Sequence, residues 1–327
     1  MSLIAGRPGA GKGDTSGQQR CLLDVLVVAS HRDFNTTAQC LRNLVAYFPA
    51  RRRVVLATDR RQLGEELVKS VGMADVSVVA DESLLSARES RLPGWYRQQI
   101  IKLRAGEVLS GDTFCVVSGD TLLARTLPVT SLVSLAGSPY LYVNRYRYPS
   151  VHLSYERRRV RAVAELLGVT PNTSLILGDF ISDFFCFERS TLLATIERLR
   201  RIHGAEWTGV LEGRDTSPAD QERFGEYSLY AVVALELAGR RPPVRICRES
   251  HVLQLHSRRS LERARFEAPI VHLVDKGIKL DEVAERAALF GVELLPRSED
   301  GREALVPAAD ETSPSTFAPG ATPRARS

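Results

Sequence analysis

The chain has 327 residues, 44% of them apolar, which is enough to bury one large core or two small ones, and no run approaches the eighteen or so apolar residues of a membrane span. Its net charge of +5 rests almost wholly on arginine, since only five of the 44 basic residues are lysines. The basic runs Arg51-Arg52-Arg53 and Arg157-Arg158-Arg159 lack interleaved aromatics, which argues against nucleic-acid binding and for a solvated face or attraction of anionic ligands.

Residues 1–20 contain Gly6-Arg7-Pro8-Gly9-Ala10-Gly11-Lys12, which matches the first seven places of a phosphate-binding P-loop. Gly13 stands where a magnesium-ligating Ser or Thr belongs, and no full strand precedes it, so the segment reads as a Gly/Pro-rich disordered tail. The N-terminus has no basic–apolar–small secretion pattern, which predicts a cytoplasmic protein. Five scattered cysteines, Cys21, Cys40, Cys115, Cys186 and Cys247, form no C-x-x-C pair and predict reduced, mostly buried thiols.

The folded region begins with a buried strand over 22–29 that ends in Ser30-His31-Arg32-Asp33. The apolar spacing of Ala38, Leu41, Val45 and Phe48 predicts a helix over 35–48. A strand over 53–57 ending in Thr58-Asp59, a helix over 61–72 and a strand over 76–80 ending in Asp81-Glu82 follow. Next come an amphipathic helix carrying Trp95, Tyr96, Gln98, Ile100, Lys102 and Leu103, and a strand at 113–117 that breaks at Ser118-Gly119-Asp120. Alternating strands and helices predict an α/β fold with a mostly parallel sheet, and four strands then end in polar groups on one edge, where open sheets of this kind bind ligands. No G-x-G-x-x-G turn follows the first strand, which argues against a dinucleotide-binding domain. Helix capping is the structural alternative for Asp33 and Asp59.

Trp95-Tyr96-x-Gln98-Gln99-x-x-Lys102-Leu103, followed by an apolar strand and an Asp-bearing turn, resembles an uncharacterised bacterial family regarded as GT-A-type glycosyltransferases. The resemblance spans about 22–260 and is strong again at Phe224-Gly225-Glu226-Tyr227-Ser228-Leu229-Tyr230. It implies a GT-A-like fold over 21–295, with a donor half to about 125 and an acceptor half beyond it. It also implies a nucleotide-sugar donor, a small-molecule or glycan acceptor, and a divalent ion, Mn²⁺ or Mg²⁺, held by an Asp-x-Asp turn. Here Ser118 takes the place of the first acid and Asp120 that of the second. By the same resemblance Ser30, His31 and Asp59 bind the nucleoside, Gln98, Lys102 and Ser118 face the rest of the donor, and Trp95 and Tyr230 lie toward the acceptor. Glu226 becomes a candidate base or acceptor ligand, and a late histidine, His256 or His251, a partner of Asp120 on the metal.

Further along, Tyr140 to Val143 reads as a strand running into Asn144-Arg145-Tyr146-Arg147-Tyr148, where Tyr146 could stack on a sugar. A helix over 155–167, a strand over 174–177 and Gly178-Asp179-Phe180-Ile181-Ser182-Asp183 follow, with Asp183 costly to bury unless it is paired or functional and hence a second candidate base. Helices over 190–203, from about 222 and over 280–290, and a strand near 244–248 followed by the segment His251 to Ser257, complete the prediction, with a disordered tail from 296. Two other classes stay open: a non-catalytic module that binds nucleotide or glycan, and a P-loop NTPase or kinase using Gly6 to Lys12.

Overall fold

A computed structural model describes residues 22–144, 149–170, 180, 184–212, 224–236, 244–247, 252–255, 257–266, 268–273 and 277–294. The P-loop-like segment and both expected tails lie outside these residues, as do the strand expected at 174–177, His251 and three candidate site residues, Tyr146, Asp183 and His256.

The first unit alternates as the apolar pattern predicts: β1 (Leu23–Ala29), α1 (Phe34–Tyr47), β2 (Arg51–Thr58), α2 (Arg61–Ser70), β3 (Val76–Ala80), α3 (Gly94–Leu103), α4 (Ala105–Val108) and β4 (Thr113–Ser118). Then come β5 (Thr121–Leu123), β6 (Leu141–Asn144), α5 (Pro149–Leu166), β7 (Phe184–Glu188), α6 (Arg189–His203) and α7 (Glu226–Glu236). The described elements end with β8 (Val244–Cys247), β9 (Val252–Leu255), α8 (Arg258–Arg263), β10 (Ile270–Leu273) and α9 (Leu280–Ala288).

The main sheet has the order β3-β2-β1-β4-β7, with the first four strands parallel and β7 antiparallel to β4. Central β1 is buried along its whole length, as a strand covered on both faces must be. One face packs α3, α5, α6 and α7 into a core that includes Tyr96, Ile100, Phe185, Phe187, Trp207 and Tyr230. The other packs α1 and α2 around Phe34, Leu41, Leu44, Phe48 and Leu67. Arg52 grips Asp24 through two 2.8 Å hydrogen bonds, and the backbone N–H groups of Ser110 and Gly111 donate to the same carboxylate. That carboxylate is held below its ordinary range chiefly by the Arg52 hydrogen bond, against the upward pull of burial.

A second sheet, β5-β10-β9, grows from the end of β4. It packs with α8 and α9 around Leu255, Phe266, Val271 and Val283. This unit is fastened to the first by α1, whose Gln39 and Asn43 amides donate to the Leu294 carbonyl and whose Tyr47 hydroxyl donates to that of Glu293. The short β6-β8 pair stands apart in sheet topology. Among the described residues, no helix is long and apolar enough to cross a membrane.

The strand β7, Phe184-Phe185-Cys186-Phe187-Glu188, has no counterpart among the strands expected from the sequence, which marks the stretch up to Phe185 only for its acids and aromatics. Its aromatic residues fill both faces: Phe184 meets Phe48 at 5.1 Å, while Phe185 and Phe187 pack on Tyr227 and Tyr230. An edge strand buried on two sides loses the alternation that marks a half-exposed one.

Candidate functional site

Parallel pairing brings the C-terminal ends of four strands to one edge. Ala29 is aligned with Thr58, Thr58 with Ala80, and Val28 with Ser118, so the residues just beyond these positions are neighbours. They are Ser30 and His31, Asp59, Asp81, and Ser118 to Asp120.

Ser30 caps the short helical turn His31–Asp33, accepting a 3.4 Å hydrogen bond from the Arg32 N–H. His31 clamps Asp59 twice, its backbone N–H to Oδ1 and its Nδ1 to Oδ2, each at 2.8 Å. Burial pulls the Asp59 carboxyl upward, but the hydrogen bonds and charge of His31 outweigh it and leave the group below its usual range. Neither α1 nor α2 shows a side-chain hydrogen bond from its N-cap residue, so capping does not account for Asp33 or Asp59.

Asp81 behaves in the opposite way. Its side chain is buried, with 7% of the residue exposed, and its Oδ1 has no hydrogen-bond partner. Burial and the charge of Asp59 push its pKa up to about 7, with Arg97 on α3 pulling the other way. Two adjacent acids are thus driven apart, one firmly ionised and the other close to half-protonated at neutral pH.

The turn after β4 is set by Gly119. Its N–H donates to the Val28 carbonyl at 2.9 Å, and an added Cβ would lie 2.6 Å from the Ala29 Cβ and 2.7 Å from the Thr37 Oγ1. Gly119→Ala should therefore force the turn off β1, costing about 1–3 kcal/mol of stability. Urea denaturation would measure the cost, and an unchanged midpoint would refute the close approach.

Asp120 follows, with its side chain 18% exposed and its Oδ1 3.4 Å from the Nε2 of His272. His272 arrives on β10, which runs antiparallel to β5 and aligns His272 with Thr121; the Leu273 N–H also donates to the Asp120 carbonyl. Behind the turn, the Cys40 thiol contacts the Ser118 carbonyl at 3.8 Å, and burial together with the Asp120 charge raises its pKa.

On the other side of the turn lies a buried ion pair. The Lys102 ammonium donates to Glu226 Oε1 at 3.0 Å and to Ser118 Oγ at 3.2 Å, and sits 5.1 Å from the centre of the Tyr227 ring. Burial works against this cation, but Glu226 and Tyr227 overcome it and hold its pKa above the ordinary lysine value. Glu226 opens α7, where the helix dipole favours an acid, and its N–H donates to the Gln99 side chain at 3.0 Å.

The structure thus gathers Ser30, His31, Asp59, Lys102, Ser118 and Asp120 along one edge, and links Glu226 to it through Lys102. Gln98 and Trp95 are half-buried on α3, with Trp95 edge-on to Tyr96 at 5.0 Å. Tyr230 is 2% exposed and its hydroxyl accepts the Glu188 N–H, so it is a core residue rather than part of an accessible wall. Sequence reasoning gave no individual role to His272, Gln99 or Asp81. A lone histidine in the apolar strand Ile270-Val271-His272-Leu273 was the one local sign of His272.

The model of a family of unknown function, DUF6492, matches residues 19–259. A comparison with curated proteins finds no significant match. Among solved structures the chain is similar to an active-site mutant of LgtC, at 12% identity and a TM-score of 0.48, covering 85% of this chain and 99% of that one. It is also similar to the apo form of WbbM, a bifunctional glycosyltransferase, at 11% identity and a TM-score of 0.49, covering 82% of this chain and 50% of that one. A third similarity is to apo mouse xyloside xylosyltransferase 1, at 12% identity and a TM-score of 0.41, covering 77% and 97% of the two chains.

Proposed function

The chain belongs to the DUF6492 family, and from that premise we propose that it is a GT-A-type glycosyltransferase, moving a sugar from a nucleotide-sugar donor to a hydroxyl of a small-molecule or glycan acceptor. The observation that carries this reading is the convergence of Ser30, His31, Asp59, Asp81, Ser118 and Asp120 at the carboxyl ends of four parallel strands. Such an edge suits a nucleoside and its diphosphate.

In this reading the nucleoside lies across the ends of β1, β2 and β3. The Asp59 carboxylate, fixed by His31, accepts from ribose or base, and Asp81 offers a second polar group. The diphosphate lies toward Asp120. One carboxylate oxygen and one imidazole nitrogen, from Asp120 and His272, suit Mn²⁺ or Mg²⁺ when phosphate oxygens and water complete the shell. A bound ion would neutralise charge developing on the leaving diphosphate. Among the described residues no group of three or more His, Cys, Asp or Glu side chains converges on one point. Ser118 adds a neutral hydroxyl, already oriented by the Lys102 ammonium.

Glu226 is committed to Lys102 through a buried 3.0 Å ion pair, so its Oε1 already has a partner other than an acceptor hydroxyl. We therefore assign it to holding the ammonium in place beside Ser118. Asp183 keeps the role of candidate base for the acceptor hydroxyl. The use of Ser118 where an acid would bind metal, together with the engaged Glu226, favours one second reading: a binding module without transfer activity.

A thermal-shift screen of nucleoside diphosphates and their sugar conjugates, with and without Mn²⁺, tests the proposal. A ligand at a hundredfold over its dissociation constant should stabilise the fold by about 2.7 kcal/mol. Asp120→Asn and His272→Ala should remove the Mn²⁺-dependent part of that shift, read in each variant against its own unliganded Tm. A donor-specific shift without sugar transfer or donor hydrolysis would select the binding module. The absence of a shift with every nucleotide, in well-folded protein, would overturn both.

A further inference from the structure

Cys115 on β4 and Cys186 on β7 are aligned partners across the antiparallel pair, with their sulfurs 2.8 Å apart, closer than unbonded sulfurs ordinarily approach. The backbone places them at a favourable position. Arg189 N–H donates to the Asp112 carbonyl at 2.8 Å, which makes residues 112 and 189 a hydrogen-bonded pair. Alternation then makes 114/187 and 116/185 hydrogen-bonded and leaves Cys115/Cys186 at a non-hydrogen-bonded site. There the facing Cα atoms lie about 4.5 Å apart and side chains come nearest, inside the span of about 4.4–6.8 Å that a disulfide bridges. Both residues are buried on the face of the sheet that carries Phe48 and Phe184, and neither belongs to the donor edge described above.

We propose that Cys115 and Cys186 are a covalent modification site, a cross-strand dithiol that closes to a disulfide when a small-molecule disulfide such as oxidised glutathione serves as oxidant. One thiolate attacks the oxidant and forms a mixed disulfide with release of one small thiol. The second thiolate then attacks the protein sulfur and expels the other small thiol. The two cysteines lose two electrons and two protons, and the oxidant takes them up as two thiols. Access comes through β7, which ends the strand order and is paired with β4 alone in the main sheet, so that local opening or folding itself exposes the pair. Closure stitches β4, three residues upstream of Ser118, to its neighbour, and spans the chain from 115 to 186.

The test uses the full chain, fully reduced and then equilibrated with oxidised glutathione, both folded and during refolding from denaturant. Two of the five thiols should become resistant to alkylation under denaturing conditions, and tryptic mapping should join Ala105–Arg125 to Ala162–Arg189. The oxidised form should melt on the order of 10 °C above the reduced form. Cys186→Ala should abolish both the link and the gain. Five free thiols after both treatments, a link through any other cysteine, or a Cys115–Cys186 link that lowers Tm would overturn the proposal. Because the readouts are thiol content and melting, the result is independent of whether the chain transfers sugar.

Discussion

Replacing Lys102 by methionine should destabilise the fold by about 3–5 kcal/mol, because it leaves the Glu226 carboxylate buried with no cation. The Glu226 side chain is 4% exposed, and Lys102 is the ammonium that meets its Oε1. The same change removes the donor from Ser118 Oγ. Methionine fills nearly the same volume, so the loss reports the charge and not a cavity. The double variant Lys102→Met/Glu226→Gln should recover most of the stability, since a neutral pair has no buried charge to strand. Urea denaturation with an unchanged m-value gives the comparison. A loss below about 1 kcal/mol in the single variant would mean that the pair is not what holds α3 to α7. The sign with pH also follows. The lysine pKa is raised by folding, so the stabilisation is complete below the unfolded lysine value and disappears only as pH climbs through the higher folded one. It should be flat across neutral pH.

Asp81 predicts the opposite trend. A carboxyl that ionises near 7 in the fold and near 3.9 in the unfolded chain holds its proton more tightly when folded. Stability therefore falls as pH rises from about 4 to about 7, by up to about 4 kcal/mol in total. Asp59, with its lowered pKa, contributes with the reverse sign, as it loses stabilisation only when pH drops through its folded value. Comparing wild type with Asp81→Asn isolates the Asp81 share. The variant should lack that slope and be the more stable protein at pH 8, by up to the same amount. Parallel pH profiles for the two proteins would refute the assignment. If Asp81 serves the nucleoside, the more stable variant should also bind the donor less well, which the same samples can show.

The first unit of this architecture was legible because its signals are local. Buried strands and amphipathic helices alternate from Leu23 to Ser118, and parallel pairing then compels their polar ends to share an edge. What stayed hidden depends on distant pairing. His272 reaches Asp120 only through the β5–β10 register, which nothing near either residue encodes. The helix α7 misled for another reason. Glu226 and Tyr230 share a face by spacing, but the helix is apolar nearly all round, so periodicity does not say which way either points. In the fold Glu226 meets Lys102 and Tyr230 meets the backbone of Glu188. Strand β7 likewise escaped because its four buried residues, Phe184 to Phe187, fill both faces and carry no period.

The meeting of Asp120 with His272 also orders events in time. His272 lies 152 positions further along the chain, and β10 pairs directly with the strand that follows the Asp120 turn. As a ribosome makes the protein, the first four parallel strands emerge and can assemble while the histidine has yet to be synthesised. The nascent polypeptide can therefore assemble the polar edge at the ends of β1 to β4 early and bring His272 to Asp120 only once β10 has emerged, a built-in delay between forming that edge and completing it.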